Sequence, residues 1–398
     1  MVCIFLFYFI LNYFKEINDT LGHTWGDELL KAVAKRLVSC IDSANGMLAR
    51  FGGDEFVYVA NNITDEIQCE EIAKKLTDCF KKSFELSTES VHITSSIGIS
   101  IFPRDGDGID DLLKHADAAM YQAKAEGRNR YHFFTKTLSQ RLRQQRSIAA
   151  RLRESLKKDE FELLFQPQID VKTGKFTSCE ALLRWRPLDE ESAVPPNIFI
   201  PIAERSELIA DIGRWVLEKT CQQSKKWKQK GIGVRIDINV SGKELEKSSF
   251  FERLTACRSH YGLSPEDIGL ELTENVLIKS DNAILENLRA QRDLGVEISI
   301  DDFGTGYSSL SYLKQFPVSH LKIDRSFLKG APENAYDSAL MEAIVNVGHK
   351  LDLKIVVEGV ETQSQSDYCK SLNVEFVQGF LYSKPISAEA IEALLEKQ

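Results

Sequence analysis

The chain has 398 residues, of which 43% are hydrophobic and 27% are charged, and its formal net charge is −9. This length predicts about two or three domains, and the composition is typical of a soluble globular protein. The negative charge excludes a general nucleic-acid coat protein, because such proteins need excess lysine and arginine to displace counterions. An anionic ligand must therefore be held by local cations or by metal ions.

The eight cysteines are widely spaced, and they form neither a CxxC pair nor another spacing that is typical of zinc sites. We therefore expect reduced thiols in the cores of a cytoplasmic protein. Membrane attachment through sequence upstream of Met1 is a second hypothesis for localisation.

The first predicted element is the apolar segment from Met1 to Leu11. A helix that spans a bilayer needs about 20 apolar residues, so this segment is too short to cross a membrane. It also lacks the basic flank and the small-residue cleavage site of a signal peptide. We predict a buried β-strand here and no targeting signal.

Helices and strands are mixed in residues 1–136, which we take as the first domain. The stretch contains a helix, a hairpin, a strand and another helix, at Gly26–Cys40, Gly52–Gly53, Val91–Ile101 and Ile109–Glu126. This order predicts an α+β domain. Residues 137–155 follow with apolar residues at helical spacing, and they predict a helical linker whose arginines form a solvated face rather than a nucleic-acid site.

Strands and helices alternate in the second domain, residues 156–398. Its eight apolar runs are FELLF, SCEALL, VRIDINV, IGLEL, VEISI, HLKI, KIVV and FVQGF. Amphipathic segments such as Ile212–Lys230 and Ala335–Lys350 separate several of them. Eight strands with crossover helices predict an α/β fold, a TIM-type (β/α)8 barrel.

Polar residues stand at or just past the ends of these apolar runs. They are Glu180, Asn239, Glu271, Asp301 with Asp302, Lys322 and Glu358. A single acid after a strand is usually a solvated loop residue, but the active sites of this fold lie at the rim where such residues collect. The series therefore predicts a polar site at the barrel mouth.

The residue types in this series narrow the chemistry. Carboxylates and an amide suit hard ions such as Mg²⁺ or Mn²⁺, and the absence of His and Cys argues against zinc. The adjacent pair Asp301 and Asp302 can serve two ions, which is the usual arrangement for cleaving a phosphodiester. Lys322 can stabilise charge on the phosphate or hold the attacking water. The loop DDFGTGYSSL after this pair is a candidate mobile element that orders when substrate binds.

The second domain resembles the EAL-type cyclic-di-GMP phosphodiesterases over essentially all of residues 150–398. The motifs are Glu180-Ala-Leu-Leu-Arg184, Asn239-Val-Ser, Glu271-Leu-Thr-Glu274, Asp301-Asp302-Phe-Gly-Thr-Gly, Lys322-Ile-Asp, Glu358-Gly-Val-Glu361 and Gln378-Gly-Phe. The resemblance implies hydrolysis of cyclic di-GMP to linear pGpG with Mg²⁺ or Mn²⁺, two ions per site. It also implies a homodimer formed through this domain.

The same resemblance implies a role for each motif residue. The first metal is held by Glu180, Asn239, Glu271 and Asp301. Asp302 serves the second ion, and Lys322 with Glu358 positions and activates water. Glu274 steadies the loop after Asp302. The implied substrate-binding residues are Arg184, Gln378 and Glu361.

Three motifs in the first domain begin at Phe14-Lys15, at Arg50-Phe51-Gly52-Gly53-Asp54-Glu55-Phe56 and at Tyr121. In these motifs the domain resembles the GGDEF diguanylate cyclases, which implies a nucleotidyl-cyclase-like fold with a mainly antiparallel central sheet. In this family Asn18 and Asp27 recognise guanine, and Lys124 with Arg128 holds the terminal phosphates. The Gly52–Gly53 turn lets backbone approach phosphate, and Asp54 and Glu55 supply charge for a metal.

This domain departs from the cyclase pattern in three ways. Ile10 and Asn12 occupy the positions of two carboxylates, and isoleucine cannot bind magnesium. The customary segment ahead of the first strand is missing, so the domain is N-terminally incomplete. Ser43 and Gly46 replace the Arg and Asp of the family's product-inhibition site.

Two interpretations of the first domain stay open: a degenerate cyclase that binds GTP and regulates the phosphodiesterase, and a folded relic that only supports dimerisation. For the whole chain we favour a cyclic-dinucleotide hydrolase. The alternatives are a bifunctional cyclase and phosphodiesterase, and a non-catalytic cyclic-di-GMP receptor.

Overall fold

A computed structural model describes residues 4–41, 46–61, 63, 66–87, 89–188, 192–247, 249–304, 313 and 315–396. The chain divides into two compact units, Met1–Ser147 and Ile148–Gln398. A continuous helix, Lys136–Ser155, covers the segment in which we expected a helical linker. Within the described ranges, no helix combines the length and the apolar character needed to cross a bilayer.

A mainly antiparallel sheet with helices forms the N-terminal unit. Its strands are β1 (Ile4–Asn12), β2 (Gly46–Gly52), β3 (Glu55–Ala60), β4 (Phe84–Glu85), β5 (Ser90–Val91), β6 (Thr94–Phe102) and β7 (Tyr131–Phe133). Its helices are α1 (Phe14–Leu21), α2 (His23–Cys40), α3 (Glu66–Asp78) and α4 (Ile109–Ala125), and α5 (Lys136–Ser155) begins in this unit and ends in the next. The main sheet has the order β2-β3-β1-β6-β7, and only β6 and β7 pair in parallel. The predicted α+β architecture is confirmed.

Strand β1 is the centre of this sheet, because it pairs with β3 on one side and with β6 on the other. Phe5, Phe7 and Phe9 pack into one core cluster, whereas Leu6 and Tyr8 pack into a second cluster. Covering both faces requires apolar residues at successive positions, which explains the continuous apolar run at the N-terminus. The predicted buried strand is confirmed.

Two cysteines contradict the prediction that all thiols are reduced. Cys40 ends α2, and it forms a disulfide with Cys79, which directly follows α3. The two helix ends meet because Leu37 and Leu76, near these ends, belong to the same core cluster. Spacing along the chain carries no information about such a tertiary contact, so this disulfide could not be predicted from the sequence.

A closed eight-stranded barrel forms the C-terminal unit. Its strands are β8 (Phe161–Asp170), β9 (Phe176–Trp185), β10 (Arg235–Asn239), β11 (Ile268–Thr273), β12 (Ile298–Phe303), β13 (His320–Ile323), β14 (Lys354–Val357) and β15 (Phe376–Val377). All eight predicted strands are present, and the TIM-type barrel is confirmed.

Helices surround this barrel. They are α6 (Pro196–Arg205), α7 (Ile209–Gln229), α8 (Gly242–Leu245), α9 (Ser249–Tyr261), α10 (Glu274–Lys279), α11 (Asn282–Asp293), α12 (Arg325–Leu328), α13 (Ala335–Lys350), α14 (Gln363–Ser371) and α15 (Ala388–Leu395). The amphipathic segments predicted at Ile212–Lys230 and Ala335–Lys350 correspond to α7 and α13. Isoleucine, leucine and valine side chains of the strands, such as Ile236, Leu270 and Ile355, fill one continuous core with these helices.

The barrel departs from strict β/α alternation at its first strand. Strand β8 runs antiparallel to both of its neighbours, β9 and β15. The chain connects β8 to β9 through a turn in which Asp170 accepts hydrogen bonds from Thr173. A hairpin needs only a short turn, whereas a parallel pair needs a crossover connection. The other barrel strands run parallel, so their carboxyl ends form one rim.

Candidate active site

Seven strands of the barrel bring polar side chains to this rim. The positions are Glu180 within β9, Asn239 at the end of β10, Glu271 in β11, Asp301 and Asp302 in β12, Lys322 in β13, Glu358 after β14 and Gln378 after β15. Asn239 and Glu271 are direct partners across β10 and β11. Glu180 is not at a strand end, because β9 continues past the rim as half of a hairpin with β8.

Lys322 is the centre of the site, and its side chain is only 1% exposed. Its Nζ lies 2.7 Å from Glu271 Oε2, 2.8 Å from Glu358 Oε1, 3.1 Å from Asp301 Oδ1 and 3.3 Å from Glu180 Oε2. Burial alone lowers the pKa of a lysine, but these four carboxylates outweigh it and raise the pKa of Lys322 well above its ordinary value. The lysine is therefore charged at all physiological pH values.

One buried cation does not neutralise the surrounding acids. Burial and the charge of Glu180 raise the pKa of Glu271 well above its ordinary value. Burial likewise raises the pKa of Glu358 to about 7, although Lys322 opposes the shift. For Glu180, burial is outweighed by Lys322 and by amide donors, and its pKa is lowered. The mouth of the barrel thus has more acidic groups than one lysine can neutralise, and a divalent cation would favour their charged forms.

A local break in β12 lets two consecutive carboxylates share the site. In a regular strand, Asp301 and Asp302 would point to opposite faces. Here the pairing register with β13 shifts between Ile300 and Phe303, and Asp302 adopts a left-handed backbone with φ 53°. As a result, Asp301, Asp302 and Glu358 each offer an oxygen, and these oxygens lie within 4.8 Å of one another.

The site fits a metal ion by two further observations. Within the described ranges, Asp301, Asp302 and Glu358 are the one trio of acidic, histidine or cysteine residues whose ligand atoms come this close. Glu271 Oε1 is buried and accepts no hydrogen bond from described residues. Buried carboxylate oxygens normally have partners, so an unmatched oxygen beside such a trio is explained by a ligand that the protein binds.

Two amide side chains orient Glu180. Asn239 Nδ2 donates to Glu180 Oε1 at 2.7 Å, and Gln378 Nε2 donates to Glu180 Oε2 at 2.7 Å. Gln378 also donates to Gln166 Oε1 at 3.1 Å, and Gln166 donates to the carbonyl of Ser383. Sequence reasoning missed Gln166, because a neutral glutamine within an apolar strand has no charge or spacing signal.

The remaining predicted residues of the barrel lie at different depths. Arg184 is half-buried, and with Asn239 and Glu271 it lines a cavity of about 310 Å³. Glu274 is buried, and its Oε2 accepts from the backbone N–H of Gly304 at 3.5 Å, directly after the Asp pair. Glu361 is exposed, and none of the hydrogen bonds or ion pairs found for described residues joins its carboxylate to Lys322. Residues 305–310 of the predicted mobile loop lie outside the described residues.

In the N-terminal unit, Gly52 and Gly53 form an exposed turn between β2 and β3, with open space around both. Burial raises the pKa of Asp54 and lowers the pKa of Lys124, and the opposite charge of each residue partly offsets the shift of the other. Arg128 lies with its guanidinium carbon 4.9 Å from the ring centre of Tyr13. Asp54 and Lys124 thus interact electrostatically beside the turn.

The guanine-recognition positions lie on α1 and α2. Asn18 is half-buried, and a methyl group at Gly26 would lie 1.9 Å from its Oδ1. Asp27, the next residue, is exposed. Gly26 is therefore required for the close approach of the Asn18 amide to α2.

Ile10 and Asn12 occupy the two positions at which the cyclase pattern has carboxylates, and both make other contacts. Ile10 lies directly opposite Glu55 in the pairing of β1 with β3. The amide of Asn12 is buried, donating to Thr94 Oγ1 and accepting from Ser96 Oγ, both at 2.9 Å. Burial and a hydrogen bond to Glu55 raise the pKa of the Tyr8 hydroxyl. Gly46 lies in β2, and Ser43 is outside the described residues.

Comparison with known proteins identifies both units. The EAL domain matches residues 149–385, and the domain described as "Diguanylate cyclase, GGDEF domain" matches residues 2–130. The chain is 38% identical to the "Bifunctional diguanylate cyclase/cyclic di-GMP phosphodiesterase MucR" of Pseudomonas aeruginosa, over 96% of this chain and 56% of that protein. It is 36% identical to the "Cyclic di-GMP phosphodiesterase PdeR" of Escherichia coli (strain K12), over 97% of this chain and 58% of that protein.

A solved structure of similar fold is "PaMucR Phosphodiesterase, c-di-GMP complex", with a TM-score of 0.59 and 37% identity. The similarity covers 62% of this chain and 99% of that one. The chain spans about half the length of the curated relatives that it matches. On the matches to both domains, the chain belongs to the family of proteins in which a GGDEF domain precedes an EAL domain.

Proposed function

We propose that the C-terminal unit hydrolyses cyclic di-GMP to linear pGpG. The observation that carries this proposal is the cluster of four carboxylates around the Lys322 ammonium at the carboxyl rim of the barrel. Such a cluster can bind divalent ions beside a cation that stabilises a phosphate. The relatives named cyclic di-GMP phosphodiesterases support the choice of substrate.

We assign two Mg²⁺ or Mn²⁺ ions to this site. The first would be held by Glu180, Asn239, Glu271 and Asp301, and Asp302 would serve the second. When bound, the ions would polarise the phosphodiester and make water a better nucleophile. The excess of acids over cations and the unmatched Glu271 oxygen support this assignment.

The chain's own residues would move protons and orient the substrate. Glu358, whose pKa lies at about 7, is suited to take a proton from the attacking water near neutral pH. Lys322 would stabilise the charge that develops on the attacked phosphate, because it stays charged throughout. Glu274 would fix the start of the loop through the N–H of Gly304.

We assign substrate binding to Arg184, Gln378 and Glu361. Arg184 borders the cavity beside Asn239, where its guanidinium would contact a phosphate of the substrate. Gln378 is buried against Glu180 and would act at the reacting end of the substrate. Glu361 is exposed at the rim, so its contact would be made with an outer part of the dinucleotide.

For the N-terminal unit we propose no cyclase activity and a regulatory GTP site. Ile10 opposite Glu55 removes a carboxylate from the expected metal site, and the Asn12 amide is engaged by two hydroxyls. The groups assigned to GTP are Asn18, Asp27, Gly52, Gly53, Asp54, Glu55, Lys124 and Arg128. Bifunctional activity is the second candidate, and the name of the MucR relative favours it.

Two incubations of the purified chain with Mn²⁺ separate these functions. With cyclic di-GMP, chromatography should resolve pGpG as the product, and the Glu180→Gln variant should form almost none. With GTP, no cyclic di-GMP should appear; its formation would establish the bifunctional alternative. Binding of cyclic di-GMP without any product would instead identify a receptor.

Regulation and assembly need separate measurements. GTP should change the rate of cyclic di-GMP hydrolysis in the wild type and not in Asp54→Ala, and an unchanged wild-type rate would favour the folded relic. We also propose that the chain forms a homodimer through its C-terminal unit. Light scattering after size exclusion should give twice the mass of 45.0 kDa.

A further inference from the structure

Two cysteine thiols meet between helices on the outside of the barrel. Cys221 on α7 is fully buried, and Cys257 on α9 is partly exposed. The Cys257 sulfur lies 4.0 Å from the carbonyl oxygen of Leu217, one helical turn before Cys221. Each thiol affects the pKa of the other, so the two side chains are neighbours. Solvent therefore reaches this thiol pair from the side of Cys257.

An acid lies next to the exposed thiol. Glu218 Oε2 is 3.5 Å from the Cys257 sulfur, and its other oxygen accepts a hydrogen bond from the Tyr261 hydroxyl. The Tyr261 contact fixes the carboxylate against α9. Glu218 is thus placed to accept the proton of the Cys257 thiol.

A buried cation lies on the other side of the pair. Arg258 is 4% exposed; its Nη2 donates to Gln291 at 2.9 Å, whereas its Nη1 has no hydrogen-bond partner among the described residues. None of the ion pairs found for the described chain includes Arg258, and the group whose charge acts on it is Cys221. A buried guanidinium is costly without a counter-ion, so negative charge that develops on the Cys221 sulfur would be stabilised here.

We propose that Cys221 and Cys257 form an oxidisable dithiol, which a peroxide converts to a disulfide that links α7 to α9. The pair lies on α7 and α9, outside the barrel, and neither cysteine belongs to a site assigned above. It combines a partly exposed thiol, a neighbouring base, a second thiol in contact and an unpaired cation. These are the components that a peroxide-reactive thiol pair requires.

The chemistry balances with hydrogen peroxide as the oxidant. Glu218 takes the proton of Cys257, the thiolate attacks one peroxide oxygen, and the O–O bond breaks. This step gives a sulfenic acid and hydroxide, which the proton on Glu218 converts to water. The Cys221 thiol then attacks the sulfenic sulfur and gives its proton to the departing hydroxide. The S–S bond forms, the S–O bond breaks, the hydroxide leaves as a second water, and two thiols and one peroxide yield one disulfide and two waters.

The disulfide would constrain part of the active site. The chain between the two cysteines contains β10, whose last residue is Asn239. Closing a loop of this length reduces the entropy of the unfolded chain, so oxidation should raise the melting temperature by about 5 °C. Burial raises the pKa of both thiols, so the reaction should be faster at pH 9 than at pH 7.

The test uses the full chain, reduced and then treated with hydrogen peroxide at pH 7 and at pH 9. After blocking of free thiols and digestion, mass spectrometry should find the Cys221 and Cys257 peptides joined, lighter by two hydrogen atoms than their sum. The joined peptide should form faster at pH 9. Recovery of Cys257 as a blocked thiol, or as a sulfinic acid without the joined peptide, would overturn the proposal.

Two serine variants complete the test. Cys369 is also free and buried, but it lies in α14. In a Cys40→Ser background, which cannot form the Cys40–Cys79 disulfide, Cys369→Ser should keep the peroxide-induced rise in melting temperature, whereas Cys257→Ser should lose it. An equal rise in both variants would show that another oxidation is responsible and would reject the assignment.

Discussion

Lys322 donates to Glu271 in the interior of the barrel, with 2.7 Å between Nζ and Oε2. Both side chains are almost completely buried, and the second oxygen of Glu271 accepts no hydrogen bond from described residues. The same ammonium also forms ion pairs with Glu180, Asp301 and Glu358. This lysine therefore holds the carboxylates of the metal-free protein in one place.

Replacing this lysine should destabilise the metal-free protein. In Lys322→Met, the four carboxylates lose their buried cation, and we expect the free energy of unfolding to fall by about 3 kcal/mol. Added Mn²⁺ should recover part of this loss, because the ions replace the missing charge. Urea unfolding with and without Mn²⁺ measures both effects.

The matched control for that variant is Lys354→Met. Lys354 is half-exposed and is the first residue of β14, at the end of the strand opposite to the active-site rim. Its Nζ lies 3.7 Å from Glu297 Oε1. Its loss should lower the free energy of unfolding by less than about 1 kcal/mol. Equal losses in the two variants would contradict the central role of Lys322.

Two glutamates should respond differently to the same substitution. Glu180→Gln alters a carboxylate held by Asn239, Gln378 and Lys322, and we expect kcat to fall on the order of a thousandfold. Glu361→Gln alters an exposed residue, so KM should change by less than about tenfold while kcat stays close to that of the wild type. Steady-state kinetics on both variants measure these effects. A large decrease of kcat in Glu361→Gln would show that Glu361 acts in the chemical step rather than in substrate binding.

Gly304 should not tolerate a side chain. Its φ is +92°, and a methyl group there would lie 2.5 Å from the ring of Phe327. Gly304→Ala should therefore cost about 1–3 kcal/mol of stability and displace the N–H that binds Glu274. Gly233→Ala, where a methyl group meets open space, is the control. Chemical denaturation together with kcat should separate the two variants, and similar results for both would refute the steric argument.

The buried His320 should make stability depend on pH. Burial lowers its pKa to about 3, so it is neutral in the folded protein, while its unfolded pKa is about 6.5. The unfolded chain therefore binds an extra proton as the pH falls from 6.5 towards 3, and stability is lost over that range. At pH 5 the loss should be about 2 kcal/mol relative to pH 7.

His320→Gln removes this titration. The variant should show a smaller decrease in the free energy of unfolding between pH 7 and pH 5 than the wild type. Urea unfolding at a series of pH values measures the difference in slope. Parallel slopes would mean that His320 is protonated in the folded state.

The barrel could be predicted because its strands are short apolar runs separated by amphipathic helices. The direction of β8 could not, because an apolar run has the same pattern whether its strand is parallel or antiparallel. The disulfide between Cys40 and Cys79 was missed for a related reason, since two helix ends meet only through the shared core.

The polar site was predicted from residues at the ends of strands, and the structure collects most of them around Lys322. The sequence did not reveal the bulge that turns Asp302 towards Glu358, because bulge geometry depends on pairing with β13. Gln166 was missed as well, since its importance arises from the hydrogen bond it accepts from Gln378. Glu361 lies exposed at the rim rather than in the cluster, and its assigned role stays a prediction.

The most direct test of the central claim is hydrolysis of cyclic di-GMP by the wild-type chain before and after chelation. Product formation should stop when EDTA exceeds the divalent ions, and it should return when Mg²⁺ or Mn²⁺ is restored in excess. Circular dichroism should show that the barrel stays folded throughout. Undiminished conversion to pGpG in excess chelator would contradict a metal-dependent reaction at the Lys322 cluster.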